Sequence, residues 1–274
     1  MAIELPRALI ARNDFNAVNT EGWYTVDLGG FKLDFYFRPS NFKRAWIFSP
    51  GWLNRKQFPV PYFQRMKWFS SLEGVGISLS DPSLMLEDDI QVGWFLGNDK
   101  IDYLYETAMY IGDLMEHMGI NRKETLFFGS SAGGFSSLGF ATYLRGSRAL
   151  VVNPQTDLFR FHNIPELGKI IRTGFSSQNT TQLNLQYPWR FSMFSLFKKE
   201  KYTPICLIII NNADDWHVSE HVAPLLACLS GYELSNELNV KFFYDKELGH
   251  NPPGPEVMLP IMSSFAEDLI SLSN

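Results

Sequence analysis

Cysteine is scarce: there are two, Cys206 and Cys228, in 274 residues. That excludes a disulfide framework. Both lie in apolar stretches and are expected to be buried free thiols. Long hydrophobic runs are also missing. None approaches the ~20 residues needed to cross a bilayer, and the first residues, MAIELPRALIARNDF, hold no apolar core followed by a small-residue cleavage site. A chain without a membrane span, cytoplasmic and soluble, is therefore expected. Positive charge is not in excess. The formal net charge is −5, from 24 Lys and Arg against 29 Asp and Glu, and nucleic-acid binding needs a basic face. Blocks of like charge, internal repeats and low-complexity tracts are absent. No dinucleotide or phosphate-loop fingerprint occurs, so no cofactor is expected. The sequence says nothing about oligomeric state.

What is present is a large apolar fraction, 45%, with 15% aromatic residues and 23 Phe. One large domain with a bulky core accommodates this. Segments of alternating and of helical periodicity follow one another. Tyr24 to Leu28 and Phe31 to Phe37 read as a hairpin around a Gly-Gly turn. Arg44 to Phe48, Val75 to Leu79, Leu126 to Phe128, Ala149 to Val152, Ile205 to Ile210 and Val240 to Tyr244 read as further strands. Pro61 to Leu72, Ile101 to Met118, Ala132 to Leu144, His217 to Leu229 and Pro255 to Leu272 read as helices. Strands alternating with helices predict an α/β fold, a mostly parallel sheet with helices on both faces. Its ligand site is expected at the carboxyl ends of the strands. Residues 155–202 break the alternation with Pro165, Pro188 and an aromatic stretch, YPWRFSMF. An insertion of this length is expected to fold over the strand ends as a cap, with Trp189 as a substrate contact.

The sharpest motif is Leu126-Phe127-Phe128-Gly129-Ser130-Ser131-Ala132-Gly133-Gly134. A G-x-S-x-G between a strand and a helix is the context of a nucleophile elbow. Ser131 sits at its centre, and a sharp turn there demands tiny neighbours, which Gly129 and Gly133 are. A serine hydroxyl needs a base. Of five histidines, His250 alone lies in a loop between the last strand and the last helix, and so comes last in the order Ser, acid, His. The acid should follow the Ile205 to Ile210 strand, where Asp214 and Asp215 are both candidates. Asp215 is preferred because Val218 stands three residues on, in a D-x-x-V pattern, and Asp214 is the alternative. An oxyanion needs two backbone N–H groups. Ala132, after the nucleophile, should give one. The turn Ser49-Pro50-Gly51-Trp52 should give the other through the Trp52 N–H, with Gly51 permitting close approach. A metal site is not expected: His217 and His221 have helical spacing, but Glu220 is not placed as in H-E-x-x-H. Asn179-Thr180-Thr181 matches a glycosylation acceptor, which carries no meaning in an intracellular chain.

With FFGSSAGG, FSPGW, NNADDWHV and ELGH in this order, the chain resembles the α/β-hydrolase superfamily from about Trp23 to the C-terminus. The elbow is specific; the other three motifs gain weight together. Pro50-Gly51 stands where many members carry His-Gly, and there is no HGGG stretch, which argues against lipases of that type. Within the superfamily, Leu79-Ser80-Asp81-Pro82-Ser83-Leu84, Gly93-Trp94-Phe95-Leu96-Gly97 and FFGSSAGGF resemble hydrolase-like proteins of bacterial surface-polysaccharide and accessory-secretion systems. That likeness implies a small-molecule or glycan ester as substrate, such as a sugar O-acyl group, with Asp81 and Trp94 lining the site. The resemblance implies a serine esterase. An acyltransferase and a non-catalytic binding or assembly protein on the same scaffold remain the alternatives.

Overall fold

A computed structural model describes residues 7–176, 179–233 and 237–267. The described strands are β1 (Arg7–Ile10), β2 (Gly22–Asp27), β3 (Lys32–Arg38), β4 (Ala45–Phe48), β5 (Val75–Leu79), β6 (Thr125–Ser130), β7 (Arg148–Val152), β8 (Ile205–Asn211) and β9 (Leu238–Phe243). The helices are α1 (Tyr103–His117), α2 (Ala132–Tyr143), α3 (Ile164–Gly174), α4 (Thr180–Gln186), α5 (Pro188–Phe191), α6 (Met193–Glu200), α7 (Ala223–Leu229) and α8 (Pro255–Ala266).

The strands form one sheet in the order β1-β2-β3-β5-β4-β6-β7-β8-β9. Only the two pairs that involve β3 are antiparallel, and all other neighbours run parallel. The period of two in the central strands sorts their side chains onto two faces. Ile47, Phe127, Ala149, Val151, Ile208 and Ile210 join one core, with residues of α1, α2, α3, α6 and α7. Trp46, Phe48, Leu126, Phe128, Leu150, Val152, Leu207 and Ile209 join the other, under Met258, Met262 and Phe265 of α8 and under Phe69 and Leu72. Strands buried on both faces read as continuous apolar runs for this reason.

Several expectations need correction. β1 was not anticipated; its four residues pair in parallel with β2 at the sheet edge. The helix expected over Pro61 to Leu72 reduces to a 3₁₀ segment, Met66–Ser71, preceded by Arg65 in the left-handed region at φ 58°. Its apolar spacing reflects packing of Phe69 and Leu72 on the sheet. The helix expected from His217 begins as a π-helical stretch, His217–Val222, before α7. The terminal helix is described to Ala266, and residues 268–272 of the expected span lie outside the described residues. Cys206 is buried as expected, whereas Cys228 is exposed.

The segment 155–202 holds α3 to α6. Its last helix, α6, packs on α2 and α7 and closes the crossover from β7 to β8. Among the described residues no helix is long and apolar enough to cross a membrane.

Candidate active site

β6 delivers the first group. Ser131 follows Ser130 directly and has φ 55°, ψ −120°, a conformation that non-glycine residues seldom adopt. The turn is sewn to the end of β7: the Ser131 N–H donates to the Val152 carbonyl at 3.0 Å, and the Gln155 N–H donates to the Ser131 carbonyl at 3.2 Å. Its two glycines are sterically obligatory. A Cβ on Gly129 would lie 2.2 Å from the Gly133 carbonyl oxygen, and one on Gly133 would lie 2.5 Å from the Ser49 carbonyl oxygen. At the same place α2 begins, so the Ala132 N–H is one of the unpaired donors of a helix N-terminus.

β8 and β9 deliver the second group. The His250 Nδ1 lies 2.7 Å from Asp214 Oδ2. A carboxylate only accepts, so Nδ1 donates and Nε2 is left as the free lone pair. The carboxylate beside His250 is thus Asp214, not the preferred Asp215, which is exposed. The reason is the backbone after β8: Asp214 is buried and also stands over the start of the π-helical stretch, bonded to the Nδ1 of His217 at 3.1 Å. Asp214 therefore serves two histidines, whose rings stack at 3.9 Å between centroids. Burial pushes the Asp214 carboxyl up, but the bonds from His217 and His250 outweigh it and hold it well below the usual carboxylate range. Burial pushes His217 down against its bond to Asp214. His221 is pushed down to about 3 by burial and by the neighbouring His217.

Asp214, His217 and His250 also offer ligand atoms within 4.8 Å of one another. The donor set as arranged is a hydrogen-bonded one. Each ring points Nδ1 at a carboxylate oxygen, so a cation there would have to displace both bonds.

Two buried asparagines hold the loop of His250 in place. Asn153, at the end of β7, donates from Nδ2 to the His250 carbonyl at 3.0 Å and accepts the Asn211 N–H at 2.8 Å. Asn211, at the end of β8, donates to the carbonyls of Asp245 and Gly249 at 2.6 and 2.8 Å. Neither was singled out in the sequence. The one available signal was their position after two apolar strands.

Both groups open on one cleft of about 500 Å³. Ser131, Ala132, Gly51, Trp52 and His250 line it. The Ser131 hydroxyl accepts from Gln155 Nε2 at 3.4 Å, and no hydrogen bond joins it to His250 among the described residues. The Gly51 N–H is taken by Gln64 Oε1 at 3.1 Å, whereas the N–H groups of Trp52 and Ala132 have no acceptor among the described residues. The wall also contains Gln64, Arg65, Gln91, Phe161, His162 and Asn163, none of which the motifs indicated.

The remaining expected contacts lie elsewhere. Trp189 packs against Tyr187 and under Lys199, away from the cleft. Asp81 is buried behind the wall and accepts the N–H groups of Ser83 and Phe95 at 2.8 and 3.0 Å. Burial, opposed by these bonds, pushes its carboxyl up to about 6. It holds the turn in which Trp94 and Phe95 both have positive φ. Trp94 reaches the site only indirectly, donating from Nε1 to Gln155 Oε1 at 2.5 Å. The Asp81 and Trp94 motifs therefore form a support for Gln155, and neither residue is among those lining the cleft.

A strand–Ser–helix turn and a His–Asp pair at the carboxyl ends of a mostly parallel sheet define the α/β-hydrolase fold. Solved structures agree. The capsule O-acetyltransferase of Neisseria meningitidis serogroup A superposes with a TM-score of 0.67 at 16% identity, over 91% of this chain and 96% of that one. An esterase/lipase from an uncultured bacterium does so with a TM-score of 0.57 at 12% identity, over 94% and 89%. The glycosylation-associated protein (Gap123) complex of Streptococcus agalactiae matches with a TM-score of 0.58 at 14% identity, over 89% of this chain and 44% of that one. No family model matches the sequence, and no curated protein does.

Proposed function

We propose that the protein is a serine hydrolase that cleaves a carboxylic ester. The observation that carries the reading is Ser131, held at φ 55° in the same cleft as a histidine whose Nδ1 is fixed on a buried aspartate at 2.7 Å. Ser131 Oγ attacks the ester carbonyl carbon while His250 Nε2 accepts the hydroxyl proton. Asp214 orients the ring and stabilises its charged form. The N–H groups of Trp52 and Ala132 take the developing oxyanion. Collapse of the tetrahedral intermediate breaks the bond to the alcohol, which leaves with the proton from His250. Water then repeats the sequence on the acyl-enzyme and regenerates Ser131. Closure of His250 onto Ser131 is required, and apo sites are commonly looser than reacting ones. The cap reading of residues 155–202 rests on Phe161, His162 and Asn163, which line the cleft.

Incubation with a fluorophosphonate and mapping of the adduct tests this. Labelling at Ser131 that vanishes in Ser131→Ala, with ester turnover falling roughly 10⁴- to 10⁶-fold, is the expected result. A folded sample that neither labels nor turns over aryl acetates overturns it.

A second reading, acyl transfer to a sugar hydroxyl, draws on the likeness to the capsule O-acetyltransferase. The same acyl-enzyme serves, with an alcohol in place of water. Partitioning of the acetyl group between water and added glycans separates the two.

A further inference from the structure

We propose that the cleft recognises an anionic group on its substrate, a phosphate or a carboxylate close to the scissile ester, through Arg65. The proposal rests on the ester-cleaving reading for what the group is attached to, but not for the anion site itself.

Among the described residues, Arg65 is the one Lys, Arg, Asp or Glu in the cleft wall, although the chain as a whole carries −5. Several other arginines pair with carboxylates. Arg44 pairs with Glu124 and Glu267, Arg12 with Glu106 and Arg160 with Glu220. Arg190, which is buried, directs its donors to the carbonyls of Leu96, Asn98 and Ile101. Arg65 has neither kind of partner. No carboxylate among the described residues lies within ion-pairing distance. Its two hydrogen bonds go to neutral groups, Gln64 Oε1 at 3.2 Å and Ser130 Oγ at 2.8 Å. A guanidinium has five N–H donors in a planar fork, so three remain. Its plane lies against the rings of Trp68 and Phe128, with Cζ 5.7 Å from each centroid.

A cation held against rings without a counter-charge is costly unless an anion arrives. Burial, opposed by the neighbouring Tyr62, pushes its pKa down to about 10, which still leaves it charged at neutral pH. The rings and the two bonds fix the fork beforehand, so little freedom is lost when it grips a bidentate partner. Ser130, which it touches, precedes Ser131, so an anion on Arg65 lies within a few bonds of an ester on Ser131. Gln64, which also touches Arg65, holds the Gly51 N–H beside Trp52. Anion binding and the expected oxyanion turn therefore share a support.

The test uses three acetates that share an acetoxyphenyl core: methyl 3-acetoxybenzoate as the neutral ester, 3-acetoxybenzoate and 3-acetoxyphenyl phosphate. Wild-type protein is expected to prefer an anionic ester in kcat/KM, and Arg65→Gln to lower the ratio of anionic to neutral kcat/KM roughly 10- to 100-fold. Arg65→Lys should restore part of it, as a point charge without the fork. Preference for the phosphate ester identifies a phosphorylated substrate, and preference for the benzoate a carboxylated one. Calorimetric binding of phenyl phosphate and benzoate, to wild type and to Arg65→Gln, reads the anion site without turnover. Arg65-dependent binding with no esterase activity keeps the anion site and removes the esterase reading. Ser131-dependent turnover with no anionic preference in the wild type, which requires no variant to fold, overturns the anion site and keeps the esterase. A ratio unchanged in a folded Arg65→Gln overturns it as well.

Discussion

The two halves of the cleft are built in different ways. On one side, Ser131 stands on a turn closed by backbone contact: backbone meets backbone across Gly129, Gly133 and Ser49, with no room for a Cβ. On the other, His250 hangs on a loop with its side chain 39% exposed, held by amide side chains from strands about 40 and 100 residues earlier in the chain. The first half is rigid because its atoms are in contact. The second is positioned by hydrogen bonds, which leaves His250 freer to move toward Ser131. In the proposed mechanism, a group that must hold a strained backbone and a group that must carry a proton to and fro make opposite demands on their surroundings.

The largest expected effect on the comparison itself breaks the second half at its carboxylate. Asp214→Asn should lower ester turnover roughly 10⁴-fold, because an amide does not hold the imidazole in the required tautomer. Asp215→Asn, on the exposed neighbour, should change turnover by less than about threefold. Equal losses in both variants would mean that the pairing at 2.7 Å is not the working one.

Gly129→Ala attacks the first half. A Cβ 2.2 Å from a backbone oxygen forces the turn to move, so unfolding in urea should show a loss of more than about 3 kcal/mol. Unchanged stability would show that the turn has slack.

Asn211→Ala should be milder, about 2–3 kcal/mol, since it removes side-chain bonds to a half-exposed loop. The comparison sharpens if fluorophosphonate labelling of Ser131 slows in this variant more than stability falls.

The smallest effect is spectroscopic. His221 accepts the Thr156 N–H at Nδ1 and is held neutral down to about pH 3. Its folded pKa lies below the ordinary 6.5, so the unfolded chain binds the extra proton between these values. The stability it contributes is full above about pH 6.5 and is lost as pH falls toward 3. Asp81, raised to about 6, works in the opposite sense, its contribution falling as pH rises from about 4 to 6. Ring carbon NMR shifts of His221 that stay those of a neutral imidazole at pH 5 are the expected outcome, and a protonated ring there would contradict the packing.

Much of this architecture was legible in the chain. The alternation of apolar strands and amphipathic helices carried the sheet and its two faces, because both periods are local properties of the backbone. The elbow was legible for a related reason: the clash that requires Gly129 is local, with Gly133, although the one that requires Gly133 comes from Ser49 at the end of β4. What stayed hidden was set by neighbours distant in sequence. Asp214 and Asp215 are adjacent, and only the path of the chain after β8 turns one toward His250 and leaves the other in solvent. Arg65 sat in a stretch read as helix, and its position beside Ser130 follows from the packing of Phe69 and Leu72 on the sheet. Asn153, Asn211 and Gln155 form their bonds across tens of residues, where no spacing rule applies. The sequence by itself determined the scaffold and the serine, since local geometry permits few alternatives. Only the tertiary structure decided which acid meets His250, which amides hold its loop and which cation stands beside Ser130, because side-chain partnership across a sheet depends on how its strands are ordered in space.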